Sequence, residues 1–435
     1  MKKSLLFALS LVLAILLQTA TPANTLPEAA AAGPSKAALK SKVKVDEKAI
    51  LKLLPVSYHG TYVAVAKFST GQNNRKVSLQ RKKDGKWIHV ASSTMNAKGH
   101  VTFNLKKIST VDYRAVADTY RGWKKTYTPV TTPTVKGNKQ WKRLFRDSFS
   151  GKKLNKRWQP RQVGLFFGSR LCSAVDKKQT RLEDGKLVQK IRKLNPNKAA
   201  DKKVINKTVK AAKKEQKARK AAAIKAAKKL KGSKRTEALK QANAMPVNGC
   251  PDGVFYNARV DTLGTFDMGQ GMVAARVKFP KDQGMHGSVW LQTTRNNSVQ
   301  RPAGTEIDMI ESFGYGKGVS NIIHYDDKKN GKLTQYGFYV IREQTKNPKW
   351  WDKYHVYSVE WTKSEFIFRI DGIETERFKK KSVKGDRHFL AISMLASDWE
   401  TKYMKKPSGK LPGLKKANLP NAKMYVDWVE AWERA

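Results

Sequence analysis

Short segments of alternating apolar and polar residues recur along almost the whole chain, and helix-like sequence interrupts them in one block only. Before residue 135 they include Thr61-Tyr62-Val63-Ala64-Val65-Ala66, Val77-Ser78-Leu79-Gln80, Trp87-Ile88-His89-Val90 and Val101-Thr102-Phe103-Asn104-Leu105, parted by turn signals at Asp84-Gly85 and Lys98-Gly99. After Gly253 they include Gly271 to Phe279, Ser288 to Gln292, His355 to Trp361, Phe366 to Ile370, Leu390 to Met394 and Met424 to Trp432. Alternation at a period of two means that each segment buries one face and wets the other. Strands and helices do not alternate, which argues against a parallel α/β fold and for antiparallel sandwiches. The expected class is all-β.

With 435 residues, the chain is longer than one core usually serves. Residues 46–135 are expected to form a small β-sandwich that resembles the immunoglobulin-like accessory modules of secreted bacterial proteins. Thr131-Thr132-Pro133-Thr134 reads as a hinge, and residues 136–435 as a second, larger sandwich. Within the second, residues 196–243 hold 17 Lys or Arg against three acids. High helix propensity and Gly232-Ser233 in the middle predict a helical hairpin or one interrupted helix. Its apolar residues look too sparse for a buried face, so the insert is expected to stand in solvent. Cys172 and Cys250 bracket it. In an oxidising compartment one disulfide is the default, tying the base of the insert to the sandwich, with two buried thiols as the alternative.

Residues 1–23 read as a secretory signal: Lys2 and Lys3, an apolar run from Leu5 to Leu17, then small and polar residues. Residues 24–45 read as an Ala/Pro/Lys-rich linker. A secreted, extracellular protein is expected, without a membrane anchor after signal cleavage, and monomeric. The formal net charge is +52. That charge favours polyanions, so association with anionic cell-wall polymers is expected. No recognised nucleic-acid-binding motif accompanies it, and specific nucleic-acid recognition is not expected.

Glu306-Ile307-Asp308-Met309-Ile310-Glu311 places three carboxylates in six residues of strand-like sequence. In a regular strand Glu306 and Asp308 share one face and Glu311 takes the other. A β-bulge at Met309-Ile310 brings Glu311 round to join them and turns Ile307, Met309 and Ile310 towards a core. The two Glu Cα atoms then lie about 13 Å apart, and inward-leaning side chains bring their carboxylates to about 5–6 Å, the separation of a retaining glycosidase rather than an inverting one. An acidic edge strand that repels aggregation or binds a cation is the plainer alternative.

From Trp141 to Arg434, the insert aside, the sequence resembles glycoside hydrolase family 16. The residues that carry the resemblance are Arg259 to Phe279, Trp290-Leu291, Glu306 to Glu311, His324-Tyr325, His355 to Trp361 with Asp371-Gly372, and Val426-Asp427-Trp428-Val429. The resemblance implies a concanavalin-like β-jelly-roll sandwich with a carbohydrate cleft on one sheet. It implies Glu306 as nucleophile, Glu311 as general acid/base and Asp308 as the residue that orients the nucleophile. His324 is expected to line the cleft or assist the triad, with a structural histidine as the alternative. Trp290 and Trp399 are candidates for stacking on sugars, with a core role as the alternative, and Trp350 and Trp351 share that ambiguity. No catalytic metal or cofactor is implied. A structural calcium bound by Asp427 is the one metal that the resemblance allows. Two departures from the family pattern, Met285-His286-Gly287-Ser288 and Ala274, bear on the substrate subsites.

With the signal-like N-terminus, the resemblance leads to the expectation of a secreted, retaining endo-acting β-glycosidase working by double displacement on a polysaccharide, with β-1,3-glucan the first expectation. The alternatives are a hydrolase or transglycosylase of an anionic or sulfated galactan or wall polysaccharide, and a non-catalytic carbohydrate- or cell-wall-binding protein.

Overall fold

The computed structural model describes residues 47–54, 57–133, 141–165, 172–282, 284–294, 305–315, 318–327, 332–340, 345–379, 387–396 and 422–434. The expected signal and linker segments, and Trp399, lie outside these residues. Among the described residues no helix is long and apolar enough to cross a membrane.

The early strands build a small sandwich of their own. Ala49–Leu53, Tyr62–Phe68 and His100–Leu105 form one sheet, and Lys76–Lys83, Lys86–Thr94, Tyr113–Ala117 and Thr126–Tyr127 the other. Their inward-facing residues, among them Phe68, Leu79, Phe103 and Tyr113, make a separate core. Thr131, expected in a hinge, is instead tied into this sandwich. Its amide donates to the Tyr113 carbonyl (2.9 Å) and its hydroxyl to the Leu51 carbonyl (3.2 Å).

The later strands form a two-sheet β-jelly roll. The front sheet runs, through its main path, from Val163–Leu165 and Ser173–Val175 through Phe255–Asp261, His388–Ala396, Met285–Thr293 and Thr305–Ser312 to Val319–Asp327 and Lys332–Val340. The back sheet runs from Thr180–Glu183 and Lys186–Lys190 through Lys423–Arg434, Gly271–Lys278, His355–Trp361 and Glu365–Ile370 to Ile373–Lys379, and Trp141–Asp147 also pairs with Lys423–Arg434. The core between them takes Val273, Ala275 and Val277 from the back sheet and Val289, Leu291, Ile307, Met309 and Ile310 from the front. One pair departs from the antiparallel expectation. Ser173–Val175 runs parallel to Phe255–Asn257. Parallel neighbours need a long connection, and the basic insert lies within it.

That insert is a hairpin of two helices, α1 (Ala199–Lys228) and α2 (Gly232–Asn243). The expectation that it lacks a buried face is corrected. Ala212, Ala223 and Ala227 of α1 and Ala238 and Ala242 of α2 are buried. Alanine has no side chain beyond Cβ, so two Ala-lined helices approach closely while their lysines stay in water. The base is fixed as expected by a Cys172–Cys250 disulfide (Cα–Cα 5.6 Å). It is also fixed by Asp201, which accepts from Arg192 Nη1 (2.8 Å), Arg192 Nη2 (3.0 Å) and the Asn195 amide (2.9 Å).

The two sandwiches are packed together. In Gly271–Lys278 the outward residues Met272 and Ala274 are as apolar as the inward ones. With Trp428 and Trp432 they are buried under Tyr58, Val63 and Val65 of the small sandwich. Tyr58 Oη lies 3.1 Å from Ser358 Oγ, the His59 ring stacks on Trp428 (centroids 5.4 Å) and the His59 amide donates to Glu430 Oε2 (2.8 Å). The turn Asp371-Gly372 (φ 50° and 79°) joins two back-sheet strands in the left-handed conformation that a two-residue hairpin needs. It also sits close against this interface: a Cβ on Gly372 would come within 2.7 Å of Val63. Ala274, where the chain departs from the family pattern, is therefore a contact between the two sandwiches on the face away from the front sheet.

Candidate active site

The strand Thr305–Ser312 carries the bulge that its sequence predicts. Trp290 pairs with Asp308 and Val289 with Ile310, which leaves Met309 as the extra residue. On the other side, pairing jumps from Asp308–Ile322 to Glu311–Ser320. Ile307, Met309 and Ile310 all enter the core, and Glu306, Asp308 and Glu311 share the opposite face. A residue that the sequence did not flag supports this kink: Asn321 Nδ2 donates to the Met309 carbonyl oxygen (2.6 Å).

The carboxylates sit in different surroundings. Glu306 is half-buried and accepts from Gln292 Nε2 (3.3 Å). Asp308 is buried, with His324 Nε2 at 3.3 Å from its Oδ2. Polar atoms of Glu306, Asp308 and His324 all lie within 4.8 Å of one another, so His324 stands beside the acidic group. Glu311 is buried and engaged through both oxygens: His286 Nε2 is 2.6 Å from Oε1, and Ser320 Oγ donates to Oε2 (3.0 Å).

These surroundings separate the groups electrostatically. Burial, then the charges of Glu311 and Glu306, push Asp308 up to about 7, against the pull of His324. Burial also acts to raise Glu311, but the His286 charge and hydrogen bond, the Ser320 hydroxyl and the more distant His324 outweigh it and hold the carboxyl below its usual range. Burial lowers His324, yet its contact with Asp308 and the charges of Glu306 and Glu311 leave it raised. The site can therefore hold a proton on Asp308 while Glu311, in contact with His286, stays ionised.

Trp290 lies on the carboxylate side of its strand. Its Nε1 donates to Ser393 Oγ (3.2 Å), and the Arg259 guanidinium covers one ring face at 4.9 Å from the centroid. Trp351 is a core residue whose Nε1 donates to the Thr345 carbonyl (2.9 Å), and Trp350 stacks on His355 (4.3 Å) beside it. Both belong to the packing rather than to the acidic site. Asp427 faces Lys186 Nζ (2.8 Å) and Arg276, so its two oxygens are already met by cations.

His286 carries no motif of its own, but a period of two places it on the carboxylate face. Counting back from Trp290, Ser288 and His286 fall on the same face, with Met285, Val289 and Leu291 on the core side.

A β-sandwich with a bulged strand presenting three carboxylates on one sheet face has the build of a polysaccharide-cleaving enzyme. The family model for "Glycosyl hydrolases family 16" matches residues 202–430, more than half of the chain, and the chain belongs to that family; it is a glycoside hydrolase. Among solved structures it is similar to the endo-beta-1,3-glucanase of Pyrococcus furiosus (17% identity, 68% of this chain and 96% of that one, TM-score 0.43). It is similar also to the laminarinase catalytic domain of Thermotoga maritima (16% identity, 68% and 99%, TM-score 0.43). No curated protein sequence matches it.

Proposed function

We propose that the protein is an exported, retaining endo-β-glycosidase that cleaves a β-1,3-glucan. Glu306 is the nucleophile, Glu311 the general acid/base, and Asp308 orients Glu306. One observation carries this reading: the bulge at Met309 sets Glu306, Asp308 and Glu311 on one face while their pairing partners hold them in unlike environments. Glu306, the least enclosed of the three, attacks the anomeric carbon as Glu311 protonates the leaving oxygen, giving a glycosyl-enzyme. Glu311 then takes a proton from water, whose oxygen attacks the same carbon and releases Glu306. Asp308, with its pKa lifted to about 7, can lend a proton to Glu306 as the glycosyl bond breaks and withdraw it as the bond forms.

A second reading, an anionic polysaccharide as substrate, is favoured by Arg259 over Trp290 and by the +52 charge of the chain. Wild type and Glu306→Ala are incubated with laminarin, mixed-linkage glucan, xyloglucan, agarose and carrageenan, and reducing ends and the anomer first released are measured. We expect β-anomers from laminarin with wild type, and a loss on the order of 10³-fold or more in the variant. Cleavage of carrageenan alone selects the second reading. Equal activity in the variant removes Glu306 from the nucleophile role, and inactivity on every polymer favours a carbohydrate-binding protein.

A further inference from the structure

His286 stands at the departure from the family pattern noted above, on the strand Met285–Thr293 that pairs with the catalytic strand. Its Nε2 is 2.6 Å from Glu311 Oε1, both residues are buried, and the ring lies along Phe313 (centroids 5.0 Å, interplanar angle 29°). An imidazole held this way against a carboxylate cannot be read as a solvated surface group, and the distance is that of a charge-assisted hydrogen bond. Among the described residues the other charged or titratable groups facing Glu311 are Asp308 and Glu306 on its own strand and His324 on Val319–Asp327, with the Ser320 hydroxyl on Oε2. Across the strand from His286 lies Leu395. His286 is thus the sole cation-forming group in direct contact with the Glu311 carboxyl among these residues.

We propose that His286 and Glu311 hold one proton between them through the neutral pH range, so that His286 is the positioning residue for the acid/base carboxyl. This rests on Glu311 being that carboxyl. A closely coupled pair loses its protons in two steps that belong to the pair rather than to either group. Between the two steps the pair keeps one proton, resting on Nε2 or on Oε1. In the first half-reaction that proton leaves the pair for the departing glycosidic oxygen, leaving a neutral imidazole and an ionised carboxylate. In the second, the pair regains one proton from the attacking water, whose oxygen bonds to the sugar. His286 itself does not touch the sugar. Its role is to keep a proton available at Glu311 to a higher pH than a lone carboxyl could manage.

Two variants separate this role from packing. His286→Phe keeps a ring beside Phe313 without a proton, and His286→Gln keeps an N–H donor towards Oε1 without a titratable group. The Glu311 carboxyl is followed by carbon-13 NMR in protein labelled at glutamate, its signal assigned by its loss in Glu311→Gln. In wild type it ionises below the usual glutamate range, and in His286→Phe its midpoint moves up by about 1 unit or more. In kcat/KM against pH, both variants lose the alkaline limb by about 1 unit while keeping activity near the acid side of the optimum. A wild-type alkaline limb in His286→Gln overturns proton sharing and leaves only a hydrogen bond. An unmoved Glu311 midpoint in His286→Phe overturns the proposal outright. If wild type cleaves no polysaccharide, the reading of Glu311 as acid/base fails on that result, and the carboxyl titration alone still decides whether the pair shares a proton. Circular dichroism confirms that each variant is folded before either measurement.

Discussion

Asn321 Nδ2 donates to the carbonyl oxygen of Met309 at 2.6 Å, and Asn321 Oδ1 in turn accepts from Thr375 Oγ1 at 3.0 Å. The bulge in the catalytic strand is thereby joined through one buried amide to the back-sheet strand Ile373–Lys379. An extra residue in a strand leaves backbone groups that the neighbouring strand cannot match. Asn321→Leu keeps the volume and removes the donor, leaving that carbonyl buried without its side-chain partner. A loss of about 1–3 kcal/mol is expected from denaturant midpoints, with a fall in kcat as the spacing of Glu306 and Glu311 relaxes. Unchanged stability and kcat would show that the bulge holds itself.

The proton affinity of Asp308 predicts a trade between stability and activity. Its pKa rises on folding from the ordinary 3.8 to about 7. A carboxyl raised on folding contributes most below its unfolded pKa, and the contribution is lost as pH climbs through the folded value, here between about 4 and 7. Asp308→Asn cannot ionise. It should therefore be more stable than wild type at pH 8, by an amount on the order of 4 kcal/mol, and unfold at higher temperature, with the gap closing towards pH 4. Hydrolysis should fall strongly at both. Calorimetry across this range is the check, and a gap that widens on acidification would reverse the assignment.

The interface between the sandwiches gives a third expectation. Met272, Ala274, Trp428 and Trp432 are covered by Tyr58, Val63 and Val65. Tyr58→Ala empties a buried aromatic site and should cost about 3–5 kcal/mol. A chain that starts at residue 136 should expose the patch and self-associate, as seen by light scattering. A monomeric fragment with full thermal stability would mean that this contact contributes little.

Residue patterns in the chain carried the catalytic strand well, because Ile307, Met309 and Ile310 cannot all reach a core without a bulge. The all-β class was legible from a period of two in the apolar positions, and the helical insert from its helix propensity and the Gly232-Ser233 break. Three features were not. The segment Gly271–Lys278 reads as a strand, but the double-sided burial of Met272 and Ala274 depends on a partner far upstream (Tyr58 precedes Met272 by 214 residues), which local pattern cannot name. The alanines of the hairpin give little apolar signal because small side chains bury little area each, while their effect lies in how closely the helices approach. His286 and Asn321 act through side-chain contacts set by register, and register becomes visible only once the strands are paired.

The back sheet has a core on each side. Among the described residues its one neighbour is the front sheet and its other is the small sandwich, so these layers stack in a fixed order with the acidic face on the side away from the small sandwich. Sheets pack about 10 Å apart, which sets the small sandwich and the carboxylates about 20 Å apart on opposite sides of the molecule. A polymer gripped by the first sandwich would have to travel round the rim of the molecule before a sugar of the same strand met Glu306. Held from the side of its small sandwich, the enzyme would work with its back to whatever it is fastened to and its acidic face turned away from it.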